Sequence, residues 1–253
     1  MFSMTDEKRL SLSEHLEELR WRLIYSLIFF GVALIICFIF QEEIMKIVCK
    51  PHFDAMRSLG HTVFPVEKLV ALEYTEKFMA YFKVCLLASL ILGAPFALYQ
   101  LWKFISAGLY PQERKFVIFY APLSLGLFVV GVLFGYFVLI PISLRFLALY
   151  GGTDIISLTP KLNSYLSLFI TLTLILGLSF EIPLVMLFFS AIGLVSPAFY
   201  SKQRKLAIVA IFVLSAIITP TTDPWTMTIL ALPLVLLYEF GIIFSKLHRK
   251  PKL

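Results

Sequence analysis

Long stretches of this chain carry no charge, and several kinds of chemistry are missing along with it. It has no phosphate-binding glycine loop, no zinc-ligand spacing and no nucleotide motif. The four histidines, His15, His52, His61 and His248, all fall outside the apolar runs. A haem held between helices and an intramembrane Ser-His hydrolase therefore both lack their imidazole. Neither an enzyme, a cofactor nor a metal is expected. The three cysteines, Cys37, Cys49 and Cys85, have no motif spacing. Cys37 reads as a buried hydrophobe, while Cys49 and Cys85 could pair only if both faced an oxidising compartment. No internal repeat, low-complexity tract or separate polar domain is visible.

What is present is hydrocarbon. Hydrophobic residues make up 60% of the 253 residues against 15% charged, and the mean hydropathy is +0.90. One soluble core could not bury that much apolar surface. The composition predicts a polytopic membrane protein of the all-α class, a single integral membrane domain over 1–253. Trp21, Trp102, Tyr110, Tyr150 and Trp225 stand near the ends of apolar runs, where amphipathic rings favour the membrane interface. The polar N-terminal stretch lacks a cleavable signal pattern, so the first run is expected to be a retained anchor.

Six runs are candidates for transmembrane helices, approximately 23–40, 84–102, 116–144, 162–190, 206–218 and 224–244. The first three are uncharged and long enough to cross. From Leu162 to Tyr200 there are 39 residues with Glu181 the sole charge, too many for one straight span. Pro183 predicts a kinked or tilted helix leading into an interfacial segment. The last two runs are short, with uncharged cores of 13 and 15 residues joined by a Thr- and Pro-rich turn at 219–224. An interfacial helix is expected over 11–22. The loop 41–83 should hold one short helix from Gln41 to Lys50, stopped by Pro51, and a second from about Val66. With six spans, 14 basic residues fall on the side of the two termini and 8 on the other. Both termini are therefore expected in the cytoplasm, and the net charge of +6 reports topology and gives no reason to expect nucleic acid.

Three polar groups interrupt this pattern. In "SLSEHLEELRWRL", residues 11–23, Ser11 and Glu14 form a capping box, while Glu17 with Arg20 and Glu18 with Arg22 have ion-pair spacing. A solvated helix face explains this, and so does an acidic patch that meets a cationic ligand. In "LYPQERKF", residues 109–116, Pro111 and Glu113 suit a helix start. By the topology above, Glu113 and Glu18 would share one membrane boundary, where two carboxylates could each grip a guanidinium. Third, Thr173, Gly177 and Glu181 are four apart and make a small polar stripe on a helix otherwise covered by Leu, Ile and Phe. Glu181 is either satisfied inside a packed bundle or lines a groove, and a proton- or ion-coupled small-solute transporter using it is the competing function. Glu239, near the end of the last run, lies close enough to the boundary to reach water.

"HLEELRWRL", "LYPQERK", "LSFEIPL" and "ITPTTDP", in this order, resemble the TatC family, the core receptor subunits of the twin-arginine protein translocase. The resemblance covers about Leu12 to Ser245 and implies a cupped, glove-like bundle of six helices in the cytoplasmic (inner) membrane. It also implies recognition of twin-arginine signal peptides of folded cargo, and export with TatA- and TatB-type single-span partners, several copies together, driven by the proton-motive force. Carried onto this chain, the signal-peptide surface comprises Glu18, Arg20, Gln100, Phe104 and Glu113. Glu181, with Thr173 and Gly177, becomes an intramembrane groove that contacts partner or signal helices. Pro220 and Asp223 match the tip of the last hairpin, and Pro51 matches a proline of the outer first loop. Position 227, polar in some relatives, is Met227 here and is assigned no role.

Overall fold

A computed structural model of the chain describes residues 12–59, 69–109, 111–150, 160–219 and 224–247. Ten α-helices and one π-helical turn account for nearly all of these described residues. Helix α1, Leu12–Ile39, merges the expected interfacial segment with the first span; Ser11, half of the expected capping box, lies outside the described residues. Phe40 turns the chain into α2, Gln41–Ser58, which starts with Glu42 and Glu43 and ends with Arg57, charges that complement its dipole.

Helix α2 does not stop at Pro51. Proline removes the N–H that would bond the carbonyl four residues back, which here is that of Ile47. The hydroxyl of Tyr136 donates to that carbonyl instead, at 2.8 Å, and Tyr165 donates to the next one, Val48. Both carbonyls are served from other helices, so the helix continues and Pro51 ends up buried.

Helix α3, Glu76–Ala107, runs back alongside α1. Helix α4, Pro111–Phe134, begins at Pro111 as expected and continues through a π-helical turn, Gly135–Leu139, into α5, Ile140–Leu149. The π turn directly precedes Pro141, where the regular ladder must lose a donor. Helices α6, Leu162–Ser179, and α7, Ile182–Ala191, form one span broken at Phe180 and Glu181, with Pro183 in the first turn of α7. The short α8, Pro197–Lys202, is capped by the Ser196 hydroxyl, and α9, Arg204–Ile218, follows it. Helix α10, Pro224–Leu247, has 24 residues. It is longer than its uncharged run because it passes through Glu239, which pairs with Arg204 of α9 at 2.8 Å.

Five helical segments among the described residues are long and apolar enough to cross a membrane: Ser13–Ile39, Glu76–Ala107, Phe119–Leu149, Leu162–Ala191 and Pro224–Leu247. At 15 residues α9 is shorter. The α6–α7 segment is the axis of the bundle, more than half of its apolar stretch being buried, whereas α1 lies at the periphery and is mostly exposed. Tyr165, Leu166, Phe169, Leu172 and Leu176 of α6 form the middle of the core. A carboxylate from another helix holds the start of α6, where Glu76 accepts from the Asn163 amide at 3.0 Å. Nearby, Val70 pairs with the backbone on either side of Lys161.

Two further details differ from the sequence expectation. Trp102 is not at the lipid interface; it is 4% exposed and meets Phe188 edge-on at 5.2 Å, on the face of α3 that packs inward. Cys49 and Cys85 do not pair. All three cysteines are free and buried, Cys85 lying against the Cys37 carbonyl.

Candidate functional site

The antiparallel run of α1 against α3 brings together side chains that are about eighty residues apart in the chain. Glu18 and Arg22 lie one turn apart on α1, and the guanidinium donates to one carboxylate oxygen, Oε1, from two nitrogens, Nε at 3.1 Å and Nη2. The remaining arm, Nη1, donates to Gln100 Oε1 of α3 at 3.3 Å. One turn further along α3, the Phe104 ring stacks on His15 of α1 with centroids 4.3 Å apart and planes at 14°. His15 Nδ1 faces the other Glu18 oxygen, Oε2, at 4.0 Å. Room for the imidazole comes from Gly108, where a β-carbon would come within 3.4 Å of it. The pair stays in reach of water: side-chain exposure is 26% for Glu18 and 13% for Arg22.

Of the residues expected at this surface, Glu18, Gln100 and Phe104 are thus assembled in one place. Arg20 is exposed and makes no ion pair among the described residues, so Arg22 is the arginine that serves Glu18. Glu113 lies in the first turn of α4, shortly after Leu109 ends the turn from α3, but its side chain is outside the described residues. Its neighbour Arg114 ties that turn to α3 by donating to Ser106 Oγ at 3.0 Å. His15, which opens the "HLEELR" motif, joins this cluster although the sequence reading assigns it no role. Its spacing from Phe104 carries no local signal.

The second site lies at the break between α6 and α7. Glu181 is half-buried there, and Ser124 of α4 donates to its Oε2 at 2.7 Å, while Oε1 is buried with no hydrogen-bond partner among the described residues. A lone acceptor in hydrocarbon is costly unless a further donor reaches it. Thr173 and Gly177 do not line a hollow; they face α4 across a closed seam. A β-carbon on Gly177 would lie 2.9 Å from Phe128, and one on the facing Gly131 would lie 2.7 Å from the Leu176 carbonyl. Beside the break, a cavity of about 320 Å³ opens between α4, α7 and α10, with Leu123, Leu127, Leu184 and Phe244 among its walls. Its lining is apolar and does not include Glu181. Pro51 is buried in α2, whereas Pro220 and Asp223 lie outside the described residues.

Residues 14–233 match the family model of TatC, the Sec-independent protein translocase protein. The chain belongs to the TatC family. A TatC of Desulforapulum autotrophicum is 37% identical over 247 residues, covering 98% of this chain and 88% of its own. One of Aquifex aeolicus is 37% identical over 246 residues, covering 95% of this chain and 97% of its own. The fold agrees with that of a crystallised twin-arginine translocase receptor TatC, with a TM-score of 0.81 at 35% identity over 94% of this chain and all of the other. This member of the family is thus a multi-pass, all-helical membrane component of a protein translocase, and nothing in these likenesses favours a small-solute transporter.

Proposed function

We propose that this chain is the receptor of a twin-arginine translocase, and that the Glu18–Arg22–Gln100 cluster, with the His15–Phe104 stack beside it, is where the arginine pair of a signal peptide is read. The observation that carries this reading is the state of Glu18. Its Oε1 already accepts from two nitrogens of a guanidinium while Oε2 makes no hydrogen bond with a described residue, so the carboxylate is placed and charged for the contact an incoming arginine would use. A signal arginine takes the place of Arg22 on Glu18, and Arg22 keeps Gln100 as an acceptor. Glu113, at the start of α4, offers the second arginine a carboxylate at the same end of the bundle. The stacked rings of His15 and Phe104 give the residues beside the arginines an aromatic floor.

In this reading α9 is a short sixth span, both termini are cytoplasmic, and the membrane is the cytoplasmic (inner) one. TatA- and TatB-type single-span subunits assemble on the chain in several copies and use the proton-motive force, and the chain itself catalyses no covalent step. Glu181 is the polar contact for one of those helices, because its unpartnered Oε1 accepts a donor that a neighbouring side chain can bring.

Photocross-linking of a twin-arginine precursor to the receptor in membrane vesicles tests the assignment. Glu18→Gln and Glu113→Gln should each reduce the cross-link about tenfold or more, the effect of losing one hydrogen bond to a charged group, and a twin-lysine precursor should bind less well because an ammonium cannot form the planar fork. Unchanged cross-linking in both variants would remove the cluster from the binding site.

A further inference from the structure

At the end of the bundle remote from the Glu18–Arg22 pair, α3 and α6 run side by side and leave a groove of about 290 Å³ between them. Its chemistry changes along its length. Lys83 stands at the mouth, where its ammonium donates to Asn163 Oδ1 at 2.8 Å in the first turn of α6. An ammonium has three donors, so it has capacity for a further acceptor. Lys161 lies two residues before Asn163 and adds a second cation at this end, whereas the Glu76 carboxylate there is taken up by the amides of Asn163 and Leu72 at 3.0 and 2.6 Å. Ser167 and Thr171 line the groove next, at ~6 and ~12 Å of helix rise below Asn163. Neither hydroxyl makes a hydrogen bond with another described residue. Leu86, Leu87 and Leu90 of α3, facing Ile170 and Leu174 of α6, complete the walls.

We propose that this groove holds one anionic phospholipid of the surrounding bilayer, its phosphate on Lys83, its glycerol ester oxygens at the level of Ser167, and one acyl chain between α3 and α6. The order of cation, hydroxyl and apolar wall is the order of phosphate, ester and hydrocarbon along a bilayer lipid. Basic residues at the mouths of interhelical grooves are suited to lipid headgroups. A hydroxyl turned to bare hydrocarbon is unfavourable unless it finds an acceptor, and an ester carbonyl supplies one at this depth. A partner helix fits less well, because with its side chains it is ~10 Å across and its apolar flank would leave both hydroxyls without acceptors.

The test uses the full chain purified in detergent, titrated with phosphatidylglycerol and read by native mass spectrometry. A phosphatidylglycerol with a photoreactive acyl chain then maps the contact in vesicles. One lipid should be retained per chain, with cross-links confined to Leu86–Leu90 and Ile170–Leu174. Lys83→Gln should weaken retention about fivefold, the contribution of one basic side chain near a charged headgroup. Thr171→Phe should remove the acyl cross-link by filling the groove while leaving Lys83 in place. Melting temperatures of both variants should match the parent, and Lys83→Gln, at an exposed position, serves alone should Thr171→Phe misfold. Inorganic phosphate and glycerol 3-phosphate should fail to compete, since the chain is needed. Retention at the parent level in Lys83→Gln would overturn the proposal. So would competition by inorganic phosphate, cross-links spread evenly round the bundle, or a photoprobe at Leu90 that captures a polypeptide instead of lipid.

Discussion

Arg22 occupies the position an incoming guanidinium would need, which makes it a competitor as well as a support. An i, i+4 ion pair in reach of water contributes only about 0.3–0.5 kcal/mol, so its exchange for a signal arginine is nearly balanced, and Glu18 stays solvated enough to permit it. Arg22→Gln should therefore tighten binding of a twin-arginine peptide about twofold in a fluorescence titration, the loss of a competitor of that strength, whereas Glu18→Gln should weaken it. A loss in Arg22→Gln as large as in Glu18→Gln would mean that Arg22 positions the carboxylate and does not compete for it. The Glu18–Arg22 pair was legible from spacing, because helix geometry alone sets four residues on one face. Gln100 and Phe104 were not. They share a face of α3, but α3 is so evenly apolar that nothing local says which face meets α1. Only the resemblance to TatC pointed to them, and His15 was passed over.

At the scale of single helices, two proline and glycine arrangements decide where elements run. Helix α2 crosses Pro51 because Tyr136 donates to the Ile47 carbonyl. Tyr136→Phe should cost about 1 kcal/mol by leaving that acceptor unpaired. In the Pro51→Ala background the same change should cost much less, since an alanine there restores the amide. Thermal unfolding of the four proteins in detergent gives the coupling directly, and equal costs in both backgrounds would deny the link. The α4–α6 seam offers a second contrast. Alanine is favoured over glycine in helices by about 1 kcal/mol, but here it must fit the seam. At Gly177 the added carbon meets the Phe128 ring, which can turn, while at Gly131 it meets the backbone carbonyl of Leu176 at 2.7 Å. Gly131→Ala should be destabilising by about 1–3 kcal/mol, and Gly177→Ala by distinctly less. Equal melting temperatures for the two would show that the seam has slack. The sequence placed Gly177 on a small polar stripe and left packing and groove both open, the resemblance to TatC implying the groove, because a pattern of small residues looks the same whether it admits a ligand or another helix.

For the molecule as a whole, α9 sets how many times the chain crosses. Helix α9 spans ~22 Å at its 15 residues, short of the ~30 Å of a typical hydrocarbon core, so it crosses only where the bilayer thins or flanking residues such as Arg204 reach out. The three native cysteines are buried, which keeps the background low for thiol labelling. Single cysteines at the exposed positions Glu17, Lys77 and Lys246 can be probed with an impermeant maleimide on intact cells. Lys77→Cys should react, whereas Glu17→Cys and Lys246→Cys should not. Reaction at Lys246→Cys without reaction at Glu17→Cys would give five crossings and put the C-terminus outside.

The amino-acid sequence by itself determined the membrane class, the all-helical architecture, the places of most long apolar helices and the family, because these rest on run length, apolar content and motifs that are local along the chain. It also located the acids that break the apolar pattern. Spacing along α1 already paired Glu18 with Arg22, and tertiary structure alone decided what meets the other two: Ser124 for Glu181 and Arg204 for Glu239. It decided too that Pro51 ends no helix, that Trp102 packs inward, and that the Thr173–Gly177 face closes on α4. Each of these depends on a donor, a ring or a backbone brought in from a distant part of the chain, and near-uniform hydrocarbon carries no record of which faces will meet.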